Sequence, residues 1–162
     1  MVGDGSYLML HTELVTAVAE KLKFITVLIQ NHGYASIGHL SETVGSQRFG
    51  TKYRYAKAAA NDHETGEALP IDLAMNAESY GVKVIRVEPG PNSISDLTAA
   101  MQAAKAHEGG PVLIHINSDP LIYAPGGEGW WDVPIAEVST LDSTKQALEN
   151  YKEQKKRQRN YL

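Results

Sequence analysis

Cysteine is absent from the 162 residues. That absence excludes disulfides, thiolate chemistry and cysteine-ligated zinc. An excess of positive charge is also missing. The formal net charge is -4, which gives no global attraction to nucleic acid or to an anionic membrane surface. No apolar run approaches the roughly 20 residues that a bilayer span needs, and the N-terminus lacks the basic and apolar regions of a secretion signal. Internal repeats and long low-complexity segments are missing too. The expectation is a soluble cytoplasmic protein with no nucleic-acid or membrane partner. What is present is ordinary: 43% hydrophobic and 21% charged residues, close to globular averages. A chain of this length fits a single domain over residues 1–162.

The periodicity predicts alternating helices and strands. Leu10, Leu14, Val18 and Leu22 recur every four residues and predict one helix over Ser6 to Lys23. Phe24 to Ile29 (FITVLI) is a continuous apolar run with β-branched residues, as expected of a strand buried on both faces of a parallel sheet. A shorter helix is expected over Tyr34 to Val44. Residues from Gly45 to Pro70 carry little periodicity, and a loop this long inside a compact domain is usually functional or mobile. Ile71 to Tyr80 reads as a helix stopped by Gly81. Val82 to Val87 reads as a strand, Ser95 to His107 as a helix with Ser95 as N-cap, and Pro111 to Ile116 as a strand. Ser118 to Val138 looks irregular, and a last helix is expected over Asp142 to Arg159. Helices alternating with apolar strands predict an α/β three-layer sandwich with a mainly parallel sheet.

The last helix ends in Lys152, Lys155, Lys156, Arg157 and Arg159. Overall acidity favours a solvated helix end whose cations complement the C-terminal dipole over a nucleic-acid patch.

Two short segments carry chemistry. In open parallel sheets, ligands bind beyond the carboxyl ends of the strands. Gly3-Asp4-Gly5 sits where a strand hands over to a helix, and Asn31-His32-Gly33 sits just beyond the FITVLI strand. If the two strands are neighbours, they lie about 5 Å apart, and Asp4 and Asn31 can converge on one ion. The residue types suit Mg²⁺ carrying a diphosphate. Mg²⁺ takes about six oxygens, commonly one or two carboxylates plus phosphate oxygens. Asp4 supplies a carboxylate, Asn31 an amide oxygen and Gly33 a backbone carbonyl. Gly5 permits close backbone approach, and the N–H groups at the start of the helix favour an anion. Each segment alone is an ordinary turn. The information lies in the pair, with a helix and a strand between.

With that spacing, Gly3-Asp4-Gly5 followed by Asn31 and Gly33 resembles the signature of thiamine-diphosphate enzymes, such as acetolactate synthases and pyruvate decarboxylases. The resemblance implies thiamine diphosphate and Mg²⁺ as cofactors. It implies Asp4, Asn31 and Gly33 as metal ligands. Gly3, Gly5 and Ser6 would meet the diphosphate, and Tyr34, Ala35, Ser36 and Ile37 would line the cofactor. The runs GDGSYLMLHTELVTA, FGTKYRY and GWWDVPIAEVS are similar to the branch of the family that hydrolyses trihydroxycyclohexane-1,2-dione, a cyclic dione of myo-inositol breakdown. The alternatives are an acetolactate synthase-like or decarboxylase-like domain, or a small subunit of a split thiamine enzyme. Pyruvate decarboxylases have an acidic residue at the place of Ile37, which argues against their chemistry here.

In the family, the activating glutamate comes from a pyrimidine-binding domain of the same or a partner subunit. No catalytic residue is therefore assigned within this chain. The motif opens at the third residue, so the expectation is an N-terminally truncated fragment of a homo-oligomeric enzyme, inactive by itself.

Other polar residues carry weaker readings. His39, Gln47, Arg48, Lys52 and Arg54 offer donors that suit a polyol dione, but a solvated loop is the favoured explanation. His11 and His115 read as satisfied core or boundary histidines. Asp62, His63 and Glu64 are consecutive and point in different directions, which does not suit one metal.

Overall fold

The computed structural model describes residues 1–55, 66–122 and 130–159, which form two compact units. The first comprises Met1–Tyr34 and Ala68–Leu121; the second comprises Ala35–Glu67 and Ile122–Leu162.

The first unit is built on a four-stranded sheet. Its elements in chain order are β1 (Val2–Gly3), α1 (Asp4–Met9), α2 (Glu13–Ala19) and β2 (Ile25–Gln30). After α3 (Ala35–Thr43), which belongs to the second unit, come α4 (Leu73–Ser79), β3 (Lys83–Val87), α5 (Ser93–Ala106) and β4 (Val112–Asn117). The strand order is β1-β2-β4-β3 and every pairing is parallel. Side chains alternate across each strand. Leu28 and Leu113 pack with Tyr7, Leu14, Leu73, Ala77 and Val82 on the face covered by α1, α2 and α4. Val87, Val112 and Ile114 pack with Ala100 and Ala104 of α5 on the other face. Helices on both faces of a parallel sheet give the expected three layers.

Two local expectations need correction. The first helix is broken: Leu10 leaves helical geometry at φ -153° and ψ 52°, and its N–H turns back to the Tyr7 carbonyl. The break lets the His11 ring stack between Tyr7 and Tyr80, with centroids 5.4 and 5.8 Å away. The Tyr80 hydroxyl lies 2.9 Å from His11 Nδ1. Of the i+4 stripe, Leu14 is buried while Leu10 and Leu22 are exposed. The second correction is Ser95, which does not cap its helix. α5 starts two residues earlier, with Asn92 at the N-cap position, and the Ser95 hydroxyl donates to the Asn92 carbonyl.

The second unit contains α3 and α6 (Asp142–Arg157). Gly45, at φ +77°, accepts from the hydroxyls of Ser143 and Thr144 at 2.7 and 2.8 Å. That fastens the C-terminal end of α3 to the first turn of α6. The cations of α6 are engaged: Lys152 with Glu149, Lys156 with Glu153, and Lys155 with Asp132. No helix among the described residues is long and apolar enough to cross a membrane.

Candidate functional site

The parallel sheet brings the two motif segments together. β1 and β2 are neighbours, with Gly3 opposite Ile29. Asp4 and Asn31 therefore leave the same end of adjacent strands. Asp4 is the first residue of α1 and is 1% exposed. Its carboxylate is held by three backbone donors. Oδ1 accepts the Gly5 N–H at 2.9 Å, and Oδ2 accepts the N–H groups of Asn31 and Gly33 at 3.0 and 3.2 Å. Hydrogen bonds to an ionised acceptor are the strong kind, so Asp4 ties the two loops into one rigid turn.

Gly5 has a steric reason to be glycine. A Cβ there would lie 2.6 Å from two ring carbons of Tyr34. Tyr34 thus walls the start of α1. Ser6 is exposed. Around Gly3, a Cβ would meet no described atom within 4 Å, so the surroundings of that glycine in this chain leave open space.

Asn31 Oδ1 is buried and has no hydrogen-bond partner among the described residues. Buried amide oxygens are nearly always satisfied, and an orphan calls for an explanation such as an ion. A hard cation held by the Asp4 carboxylate would satisfy that oxygen. The donor set is all oxygen, which fits Mg²⁺ and not a soft metal. Ala35, Ser36 and Ile37 form the first turn of α3 in the second unit, and Ser36 and Ile37 are exposed.

The next layer was not singled out by sequence reasoning. Gln30, the last residue of β2, is 2% exposed. Its Oε1 lies 2.7 Å from His115 Nε2, and its Nε2 donates to the Ile71 carbonyl at 2.9 Å and lies 3.2 Å from His32 Nδ1. Ile71 is fixed in turn by Asp72, which caps α4 by accepting the Met75 N–H and also binds Arg86. Burial acts to raise the Asp72 carboxyl. The Met75 N–H and the Arg86 guanidinium outweigh it and hold the carboxyl below its usual range. Burial pushes His115 below the usual histidine range, and Arg86 adds to the shift. The signal available in the sequence was a polar Gln ending an apolar strand.

In the second unit, Arg48 is buried and bidentate to Glu42 at 2.5 and 2.6 Å. That pairing, rather than display to a substrate, accounts for its guanidinium, and it holds Glu42 below the usual carboxylate range. Arg54 donates to the Gly66 carbonyl. Trp130 stacks on Tyr151, and both Trp130 and Trp131 line an open groove of ≈ 570 Å³ with Leu40, Val44 and Val133. Asp62, His63 and Glu64 lie outside the described residues.

Comparison with known proteins identifies the family. The family described as "Thiamine pyrophosphate enzyme, C-terminal TPP binding domain" matches residues 1–116. A 3D-(3,5/4)-trihydroxycyclohexane-1,2-dione hydrolase from Clostridium botulinum is 36% identical over 161 residues, covering 99% of this chain and 24% of the relative. A second, from Bacillus cereus, is 39% identical over 150 residues, covering 93% and 22%. The chain thus spans about a quarter of the length of these curated relatives. Among solved structures, benzoylformate decarboxylase from Polynucleobacter necessarius aligns with a TM-score of 0.55 at 21% identity, over 75% of this chain and 19% of that one. A thiamine diphosphate-dependent 4-hydroxybenzoylformate decarboxylase from Rhodococcus jostii aligns with a TM-score of 0.52 at 22% identity, over 73% and 19%. At those identities the likeness concerns the fold alone. The match to the family over residues 1–116 places this chain among the thiamine pyrophosphate enzymes, as a C-terminal TPP-binding domain.

Proposed function

We propose that this chain supplies the Mg²⁺ and diphosphate site of a thiamine-diphosphate-dependent C–C hydrolase, one that opens trihydroxycyclohexane-1,2-dione to 5-deoxyglucuronate in inositol breakdown. The observation that carries the site reading is the buried, unpartnered Oδ1 of Asn31, a residue whose backbone N–H is bonded to the buried Asp4 carboxylate. The substrate reading rests on the 36–39% identity to hydrolases of that name over nearly the whole chain.

Bound thiamine diphosphate supplies an electron sink for breaking a C–C bond next to a carbonyl. The residues of this chain do the holding. Asp4, Asn31 and the Gly33 carbonyl would offer three of the roughly six oxygens that Mg²⁺ takes, leaving the remainder to the diphosphate and water. The backbone of Gly3, Gly5 and Ser6 lets the diphosphate approach closely. Tyr34, Ala35, Ser36 and Ile37 line the cofactor. A pyrimidine-binding domain of the same or a partner subunit, within a cytoplasmic homo-oligomer, provides the activating carboxylate.

The test is a substrate panel on the enzyme purified from its source through a tag on this chain. Ring opening of the cyclic dione, with little turnover of pyruvate, is expected. Preferential decarboxylation or condensation of pyruvate contradicts the substrate reading.

A further inference from the structure

We infer that Gln30 is the positioning residue of the turn that carries Asn31 and Gly33. Its buried amide fixes the tautomer of His32 and holds His32 in the left-handed backbone conformation from which its two neighbours are presented. The functional half of this inference rests on the reading of that turn as the Mg²⁺–diphosphate site.

The geometry determines every proton in the chain of contacts. A backbone carbonyl only accepts, so the group of Gln30 facing the Ile71 carbonyl at 2.9 Å must be its NH₂. The amide oxygen then faces His115 Nε2 at 2.7 Å, and that nitrogen must carry a hydrogen. A second hydrogen on His115 Nδ1, which is buried without a partner among the described residues, would make a buried cation with nothing to receive its proton, so Nδ1 carries none. His115 is therefore the neutral Nε2–H tautomer, which agrees with the downward pressure of burial on its protonation. The second hydrogen of the Gln30 NH₂ points to His32 Nδ1 at 3.2 Å. That nitrogen must be an unprotonated acceptor, which leaves the hydrogen of His32 on Nε2.

The backbone gives the contact its purpose. His32 sits at φ +58°. This region is crowded for a residue with a Cβ, and such outliers persist only where the surroundings over-determine them. Two anchors hold the turn here. The Asp4 carboxylate grips the N–H groups on either side of His32, at Asn31 and Gly33. Gln30 grips the His32 ring itself. Because Gln30 ends β2 opposite Asn117 and reaches Ile71 and His115, the turn is fastened to β2, β4 and the segment entering α4.

The test has two arms, spectra of this chain and calorimetry of the enzyme that contains it. Long-range ¹H–¹⁵N spectra of labelled protein should show His32 and His115 each locked as the Nε2–H tautomer. Gln30→Leu should release His32 into a mixture of tautomers. Calorimetry should show Mg²⁺-dependent thiamine diphosphate binding weakened by about 10–100-fold in Gln30→Leu, the usual cost of losing an outer partner of a metal site. In the His32→Gly background, where the left-handed backbone needs no help, the same substitution should cost little. Averaged His32 tautomers in the unsubstituted chain overturn the inference, even if Gln30→Leu does not fold. So does an equal cost of Gln30→Leu in both backgrounds, which marks Gln30 as mere packing. If the tautomers are locked but the whole enzyme shows no Mg²⁺-dependent binding, the positioning role stands and the metal reading falls.

Discussion

Asp4 Oδ2 accepts the backbone N–H of Asn31 at 3.0 Å, across the join between β1 and β2. This one contact turns a sequence spacing into a site. The carboxylate proposed to bind the metal is also the structural clamp of the loop that carries Asn31. Removal of Asp4 should therefore do two things together. Asp4→Ala leaves the N–H groups of Gly5, Asn31 and Gly33 without their acceptor. At about 1–3 kcal/mol for a buried unsatisfied donor, a loss of at least about 2 kcal/mol is expected from chemical denaturation. Mg²⁺-dependent binding of thiamine diphosphate should vanish in the same variant. A stable Asp4→Ala chain with unchanged affinity would remove Asp4 from the site.

The Gly5–Tyr34 contact makes a separate prediction. Gly5→Ala places a Cβ 2.6 Å from the Tyr34 ring, and overpacking of this kind costs about 1–3 kcal/mol. Thermal melts should show the loss. The double variant Gly5→Ala with Tyr34→Ala should recover part of it. No recovery means the clash lies elsewhere.

The second unit can be probed at Gly45. A Cβ there would lie 2.4 Å from the Ser143 carbonyl oxygen, at a φ of +77°. Backbone cannot swing aside as a side-chain end can. Gly45→Ala is expected to cost about 2 kcal/mol or more. Hydrogen exchange in the first turns of α6 should quicken. Unchanged protection there would refute the fastening role given to the Gly45 carbonyl.

His115 predicts a pH dependence. Its folded pKa is lowered by burial from the ordinary 6.5, so the unfolded chain binds that proton more readily. Its contribution to stability is complete above the unfolded value and is lost as pH falls from about 6.5 toward the folded pKa. Stability measured from pH 7.5 to 5 should decline in this window. His115→Gln, which keeps an N–H donor toward Gln30, should flatten the decline. An identical pH profile for the variant contradicts the assignment.

Much of this was legible in the sequence because the sheet is parallel and its strands carry apolar runs, although β2 is half-buried along most of its length rather than buried on both faces. FITVLI, VKVIRV and PVLIHI read as strands, and each proved to be one within a residue or two. Gly3-Asp4-Gly5 and Asn31 could be paired because adjacency of β1 and β2 needs only a helix between them. What was hidden depends on three-dimensional contact. The i+4 leucine stripe gave no hint of the break at Leu10, since the competing interaction, His11 between Tyr7 and Tyr80, joins residues 69 apart. Gln30 looked like a strand end because its partners, Ile71 and His115, lie 41 and 85 residues away. Arg48 read as a solvated donor, yet the fold turns it inward onto Glu42.

On the proposed function, Asn31 Oδ1 is an oxygen ligand of Mg²⁺. Because that atom has no partner within the described residues, Asn31→Ala removes no internal hydrogen bond of the side chain. The direct measurement is calorimetric titration of thiamine diphosphate into the chain and its Asn31→Ala variant, with Mg²⁺ and then with a chelator, beside the melting temperature of each. Stability is expected to fall by no more than about 0.5 kcal/mol, because no side-chain hydrogen bond is lost, while Mg²⁺-dependent binding is lost. A variant that melts early yet retains its Mg²⁺-dependent affinity would contradict the role given to Asn31.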